Sequence, residues 1–386
     1  MDITIQPGRL TGCITAIPSK SQAHRLLICS AFADAPTTLR CPETNRDMEA
    51  TADCLRALGA EITRTAEGYH IAPARETPSE ASLNCCESGS TLRFLLPVVG
   101  ALGVNATIKM EGRLPQRPLS PLWEEMERMG CSLSRPTAST ILCQGKLKPG
   151  TYTIAGNVSS QFITGLLLAF GLMDGPCTLN ITQKLESAPY IDMTRAVLEL
   201  FPGHRSPGTI TVEGDWSNGA FFLAARALGN SVTVLNLDPN SKQGDRAAAF
   251  WLPKLKSHCT ISAADIPDLV PILAVTAACN QGAIFTDIQR LRLKESDRVA
   301  SVIAMLEALG GKAEATEDTL TVHGTGLRGG TVNSCNDHRI VMSAAIAATV
   351  CTEPVTILGA EAVNKSYPRF WEEYAHLGGN YEQYLR

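Results

Sequence analysis

No stretch of this 386-residue chain approaches the ~18 continuous apolar residues of a membrane-crossing helix. The N-terminus also lacks a charged segment leading into an apolar run, so no export signal is read there and a cytoplasmic location is expected. Strong charge is missing too: a net −4 argues against nucleic-acid or anionic-membrane partners, and any affinity for anions must be local. No pair of CxxC motifs accompanies the 13 cysteines, and most of them, such as Cys29, Cys177, Cys279 and Cys351, sit in apolar runs. Buried thiols in a reducing compartment follow, with no metal site. Neighbouring Cys85 and Cys86 cannot form an ordinary disulfide with each other, and no cysteine lies in a His-assisted nucleophile motif.

What the chain has is repetition. Helices apolar on every side are expected over 22–33, 89–100, 160–172, 217–228, 267–279 and 337–350. Such helices belong in a core, because no face suits water. Each is followed by an amphipathic helix, near 48–58, 119–129, 190–200, 245–255, 298–309 and 369–377. Gly59, Gly130, Gly203, Gly310 and Gly378 stand where a helix C-cap needs positive φ. Short alternating or β-branched runs at 60–71, 209–213 and 313–323 predict strands and hairpins. The period of roughly 65 residues exceeds the usual solenoid range of about 20–50, so each unit is a small α/β layer. The fourth unit is compressed, between Pro239 and Ile266. A chain this long exceeds one core, since compact domains stop near about 250–300 residues. The division expected is a globe of residues 19–213 and a second of 1–18 plus 214–386, with three repeats each.

The polar starts of the buried helices carry the chemistry. Ser19-Lys20-Ser21-Gln22-Ala23-His24-Arg25 opens the first, where unpaired N–H groups and the helix dipole favour a phosphate or carboxylate. Ser88-Gly89-Ser90-Thr91-Leu92-Arg93 and Ser159-Ser160-Gln161 repeat the arrangement; Gly89 lets a ligand approach the backbone. One such start is an ordinary cap, and three make a pattern. In the second half, Lys294 and Arg298 fall four apart, on one face if helical, while Arg339 and Lys365 each flank a helix start. Taken singly, each reads equally as solvated surface. Asp268 opens an otherwise apolar helix, either as an N-cap or as a functional acid.

In this order the motifs resemble the 5-enolpyruvylshikimate-3-phosphate synthase family over nearly the whole chain. Its PGSKSxxxR corresponds to residues 17–25, NAGTAxR to 87–93, ERP to Gln116-Arg117-Pro118, SSQ to Ser159-Ser160-Gln161, and SxPYID to 187–192. Its IPD, KExDR, DHR and NKS(Y/F)P elements fall at 266–268, 294–298, 337–339 and 364–368. The resemblance implies an α/β fold, a two-globe inside-out α/β barrel of six βαβαββ repeats. The N-terminal strand would join the second globe, the chain would cross a hinge near 18 and 214, and the active site would lie in the cleft.

The reaction so implied moves the enolpyruvyl group of phosphoenolpyruvate to the 5-hydroxyl of shikimate 3-phosphate, without metal or organic cofactor. Position by position, Glu295 maps to the proton donor at C3, Asp268 to the base toward the hydroxyl, and Lys20 to a partner in proton transfer. Lys20, Gly89, Arg117, Gln161, Arg298, Arg339 and Lys365 map to phosphoenolpyruvate. Lys20, Ser21, Arg25, Ser159, Ser160, Gln161, Ser187, Asp268 and Lys294 map to shikimate 3-phosphate. Cations from both globes would repel in an empty cleft, so closure on ligand is expected, in a monomer with no macromolecular partner. Three residues depart from the family pattern: Pro18 replaces a glycine, Glu87 an asparagine, and Phe94 stands where many members have proline. Two other readings use the same architecture: UDP-N-acetylglucosamine enolpyruvyl transfer, whose family opens with Lys-Asn rather than Lys20-Ser21, and a non-catalytic anion binder.

Overall fold

The computed structural model describes residues 1–384, which fall into two compact units. One is Pro18–Val212; the other joins Met1–Ile17 to Glu213–Arg386. Each has its own apolar core.

In the Pro18–Val212 unit, the helices Lys20–Ala31, Gly89–Leu102 and Ser160–Phe170 form the interior. Side-chain oxygens of Ser19, Ser88 and Ser159 cap their first turns. The last two helices touch backbone to backbone: a Cβ on Gly165 would stand 2.2 Å from the Arg93 carbonyl oxygen. The amphipathic partners Arg46–Ala57, Leu122–Arg128 and Ala188–Leu200 cover them, together with strands. One four-stranded sheet runs Glu80–Asn84, Asn105–Lys109, Thr140–Gly145, Cys131–Thr137, parallel in its first pair and antiparallel thereafter. A second runs Thr209–Thr211, Thr37–Arg40, Gly68–Ala72, Glu61–Thr65, so the returning chain supplies its first strand.

The other unit repeats the plan. Helices Trp216–Ala227, Val270–Ala278 and His338–Ala348 are central, and every residue of the last two is buried. The sheet Cys259–Ser262, Ala283–Thr286, Thr319–His323, Lys312–Ala315 has the same strand order and directions as the 80–145 sheet. The sixth repeat borrows its last strand from the N-terminus: Asp2–Ile5 lies antiparallel between Val355–Leu358 and Tyr381–Tyr384.

Full βαβαββ units are therefore not uniform along the chain. Among the described residues the third and fourth repeats hold only parallel pairs, Gly150–Ala155 with Cys177–Thr182 and Ser231–Leu235 with Thr11–Thr15. The compression of the fourth repeat has a simple cause. After helix Ala248–Lys254 the chain passes directly to strand Cys259–Ser262 of the next sheet, with no hairpin between. All five expected cap glycines have positive φ, from 59° at Gly203 to 116° at Gly130.

Candidate active site

Two groups of charged side chains, one in each unit, contain the residues singled out from the sequence. In the Pro18–Val212 unit, the start of helix Lys20–Ala31 places Lys20 Nζ 3.0 Å from the Asp47 carboxylate. One turn on, Arg25 is 2 % exposed. Its guanidinium donates to Thr194 Oγ1 (2.8 Å), the Ser21 carbonyl (2.6 Å), Thr164 Oγ1 (3.2 Å) and the Tyr190 carbonyl (3.1 Å). Burial lowers its pKa to about 10, against the opposing influence of Tyr190 and Cys29. Phe94 lies 4.9 Å beneath this guanidinium, so an aromatic platform occupies the place where a proline was expected.

The second helix start brings Gly89, Arg93 and Arg117 together. A Cβ on Gly89 would meet Nη1 of both arginines at 2.7 Å, so a side chain there would push the two guanidiniums aside. Arg93 also donates to Gln161 Oε1 (3.0 Å) and the Pro118 carbonyl (3.1 Å), and Gln161 Nε2 donates to Ser90 Oγ (3.1 Å). Ser159 caps its helix through the Gln161 N–H (3.3 Å) and Ser160 is buried. Ser187 is buried with φ 56°, a conformation rarely adopted by residues other than glycine.

In the other unit the charges form one network. Arg298 is 0 % exposed and donates to Asp268 Oδ1 (2.7 Å), Glu295 Oε2 (2.6 Å) and Asp337 Oδ2 (3.0 Å). Arg339 Nη2 reaches Asp268 Oδ2 at 3.1 Å and Ser217 Oγ at 2.8 Å; Lys294 Nζ is 3.5 Å from Asp268. Ser217 donates in turn to Asp245. Lys365 Nζ bonds the Asn336 carbonyl (2.9 Å), within a turn where Cys335 and Asn336 both have positive φ.

Burial alone would raise the Asp268 pKa, but Arg339, Lys294 and Arg298 outweigh it and hold the carboxyl well below its usual range. Asp337 is depressed for the same reason, with Arg298 opposing burial. Burial pushes Lys294 down to about 8, although Asp268 partly restores it. Asp245 goes the other way, to about 7, through burial and then the charge of Asp268.

Two local alternatives left open by the sequence are decided by the backbone. Helix Val270–Ala278 begins after Leu269, so Asp268 is not its N-cap; the carboxylate turns to the cations instead. Residues 294–297 are not helical, so Lys294 and Arg298 meet through shared contact with Asp268 rather than along a helix face. The structure also brings in Asp47, Arg93, Ser217, Asp245 and Asp337, which had not been read as site residues. Arg93 carried a usable signal, a cation one turn into an apolar helix. Asp245 carried none.

A model of the family EPSP synthase (3-phosphoshikimate 1-carboxyvinyltransferase) matches residues 5–264 and 253–374. The chain belongs to the EPSP synthase family. A 3-phosphoshikimate 1-carboxyvinyltransferase of Clostridium kluyveri is 35% identical over 419 residues, spanning 99% of this chain and 98% of that one. Its counterpart in Clostridium novyi is 36% identical over 424 residues, spanning 98% of each. A solved EPSP synthase of Acinetobacter baumannii shares the fold, with a TM-score of 0.80, 23% identity and 99% of both chains covered. No helix among the described residues is long and apolar enough to cross a membrane.

Proposed function

We propose that this chain transfers the enolpyruvyl group of phosphoenolpyruvate to the 5-hydroxyl of shikimate 3-phosphate, working as a cytosolic monomer. The convergence of Arg298, Arg339 and Lys294 on Asp268, beside Glu295, carries this reading.

The chemistry has two halves. In addition, C3 of phosphoenolpyruvate gains a proton, the 5-oxygen bonds to C2, and the hydroxyl loses its proton. In elimination, C3 gives the proton back while the C2–O bond to phosphate breaks. An acid and a base are thus required. We assign Glu295 to C3 and Asp268 to the hydroxyl. Three cations make Asp268 a weak base, so an anionic substrate that draws Arg339 and Lys294 toward itself also strengthens the base. Arg117, Arg339 and Lys365 hold the donor's phosphate and carboxylate, since a guanidinium fork matches either anion. Gly89 contributes backbone, and Gln161, held by Arg93, reaches both substrates. Lys20, Ser21, Ser159, Ser160, Ser187 and Lys294 take shikimate 3-phosphate. Arg25 is assigned to shikimate 3-phosphate and Arg298 to phosphoenolpyruvate, and both also hold neighbouring hydroxyls and carboxylates in place.

Competition decides between acceptors. With equal shikimate 3-phosphate and UDP-N-acetylglucosamine, enolpyruvyl product should form on the former alone. Product on the nucleotide sugar would replace this reading.

A further inference from the structure

We propose that Asp245 is a positioning residue: through the Ser217 hydroxyl it governs how firmly Arg339 meets an anion. The inference rests on the assignment of Arg339 to phosphoenolpyruvate.

Asp245 lies in the 3₁₀ turn Gly244–Ala247 and is 3 % exposed. One carboxyl oxygen accepts from Ser217, in the first turn of helix Trp216–Ala227; the other, Oδ1, is buried with no hydrogen-bond partner among the described residues. Ser217 Oγ accepts from Arg339 Nη2 at 2.8 Å, and that same nitrogen reaches Asp268 at 3.1 Å. An unbroken chain therefore joins a carboxyl outside the proposed substrate contacts to a cation and a base within them.

A buried carboxylate with one unpaired oxygen is costly as an anion and cheaper as a neutral acid. Burial first, then the charges of Asp268 and Asp215, push its pKa up to about 7, while Arg339 and the Ser217 hydroxyl oppose the rise. Asp245 thus changes charge near neutrality. Neutral, it leaves Arg339 Nη2 bonded to the charge of Asp268 without a second charge behind it. Ionised, it turns the serine hydroxyl toward itself and sets a second negative charge behind the guanidinium. Protonation of Asp245 and anion binding at Arg339 must then favour each other, by reciprocal linkage.

The test is the KM for phosphoenolpyruvate from pH 6 to 8.5 in the wild type, Asp245→Asn and Ser217→Ala. Dividing wild-type by variant values cancels titration of the substrate itself. The ratio should rise about tenfold across neutrality, within the usual range for coupled sites. A ratio that stays flat for both variants overturns the proposal, since a purely structural carboxyl would alter KM or stability without reshaping the pH profile. If Asp245→Asn does not fold, the Ser217→Ala ratio decides alone. Melting curves give a readout independent of turnover. The folded pKa lies above the ordinary 3.8, so the unfolded chain loses its proton first and the wild type loses stability between about pH 4 and 7. The melting-temperature gap in favour of Asp245→Asn should widen over that window, and a constant gap also overturns the proposal. Absence of any wild-type turnover would remove the reaction assignment, and this inference with it.

Discussion

Arg298 shows how much one buried side chain can hold. Its three nitrogens face Asp268, Glu295 and Asp337, and its pKa is raised because these charges outweigh burial. Arg298→Met takes from buried Asp337 the cation beside it, while Asp268 keeps Arg339 and Lys294, and should destabilise the fold by about 3–5 kcal/mol, the usual result of removing one partner of a buried pair. Urea unfolding measures it, and a loss below about 1 kcal/mol would mark the cluster as solvent-screened. Asp268→Ala and Glu295→Ala should each lower kcat by about 10²–10⁴ in a phosphate-release assay, as for a positioned base or acid. Near-wild-type turnover in either removes that residue from its role. Arg339→Ala should chiefly raise the KM for phosphoenolpyruvate. Lys294 loses its charge near pH 8, so kcat/KM for shikimate 3-phosphate should fall as pH rises through that value. Lys294→Arg, charged throughout, should move the fall upward, and an unmoved profile would place the titration elsewhere.

At the scale of elements, helices were legible and side-chain company was not. Ser19, Ser88 and Ser159 cap where the sequence places helix starts, because a short hydroxyl reaching its own N–H groups is a local matter. Asp268 misleads by the same local logic. Its partners Arg298, Arg339 and Lys294 lie 26 or more positions away, on other elements, so nothing nearby announces them. Asp245 is harder still, being hydrogen-bonded to the network through an intervening hydroxyl, that of Ser217. Helix contact is equally hidden, since Gly165 reads as an ordinary small residue until Arg93's carbonyl is found against it. Gly165→Ala must drive the two helices apart and should cost about 1–3 kcal/mol, with a lower melting temperature. An unchanged melting temperature would show that the helices separate freely.

For the molecule as a whole, periodicity exposed the architecture because each repeat buries one helix and shows another to solvent. Periodicity read the compression of the fourth repeat but not two long-range exchanges: strand Asp2–Ile5 in the sixth repeat, which the family resemblance alone assigned to the second globe, and Thr209–Thr211 completing the first. Strand pairing across such separations leaves no local pattern to read. Enolpyruvyl transfer from phosphoenolpyruvate to shikimate 3-phosphate is tested most directly by phosphate release with chelator present. Release should require both phosphoenolpyruvate and shikimate 3-phosphate, and should fall by at least about 10² in Lys20→Met and in Asp268→Ala alike. Release from phosphoenolpyruvate alone, or full turnover in either variant, would contradict it.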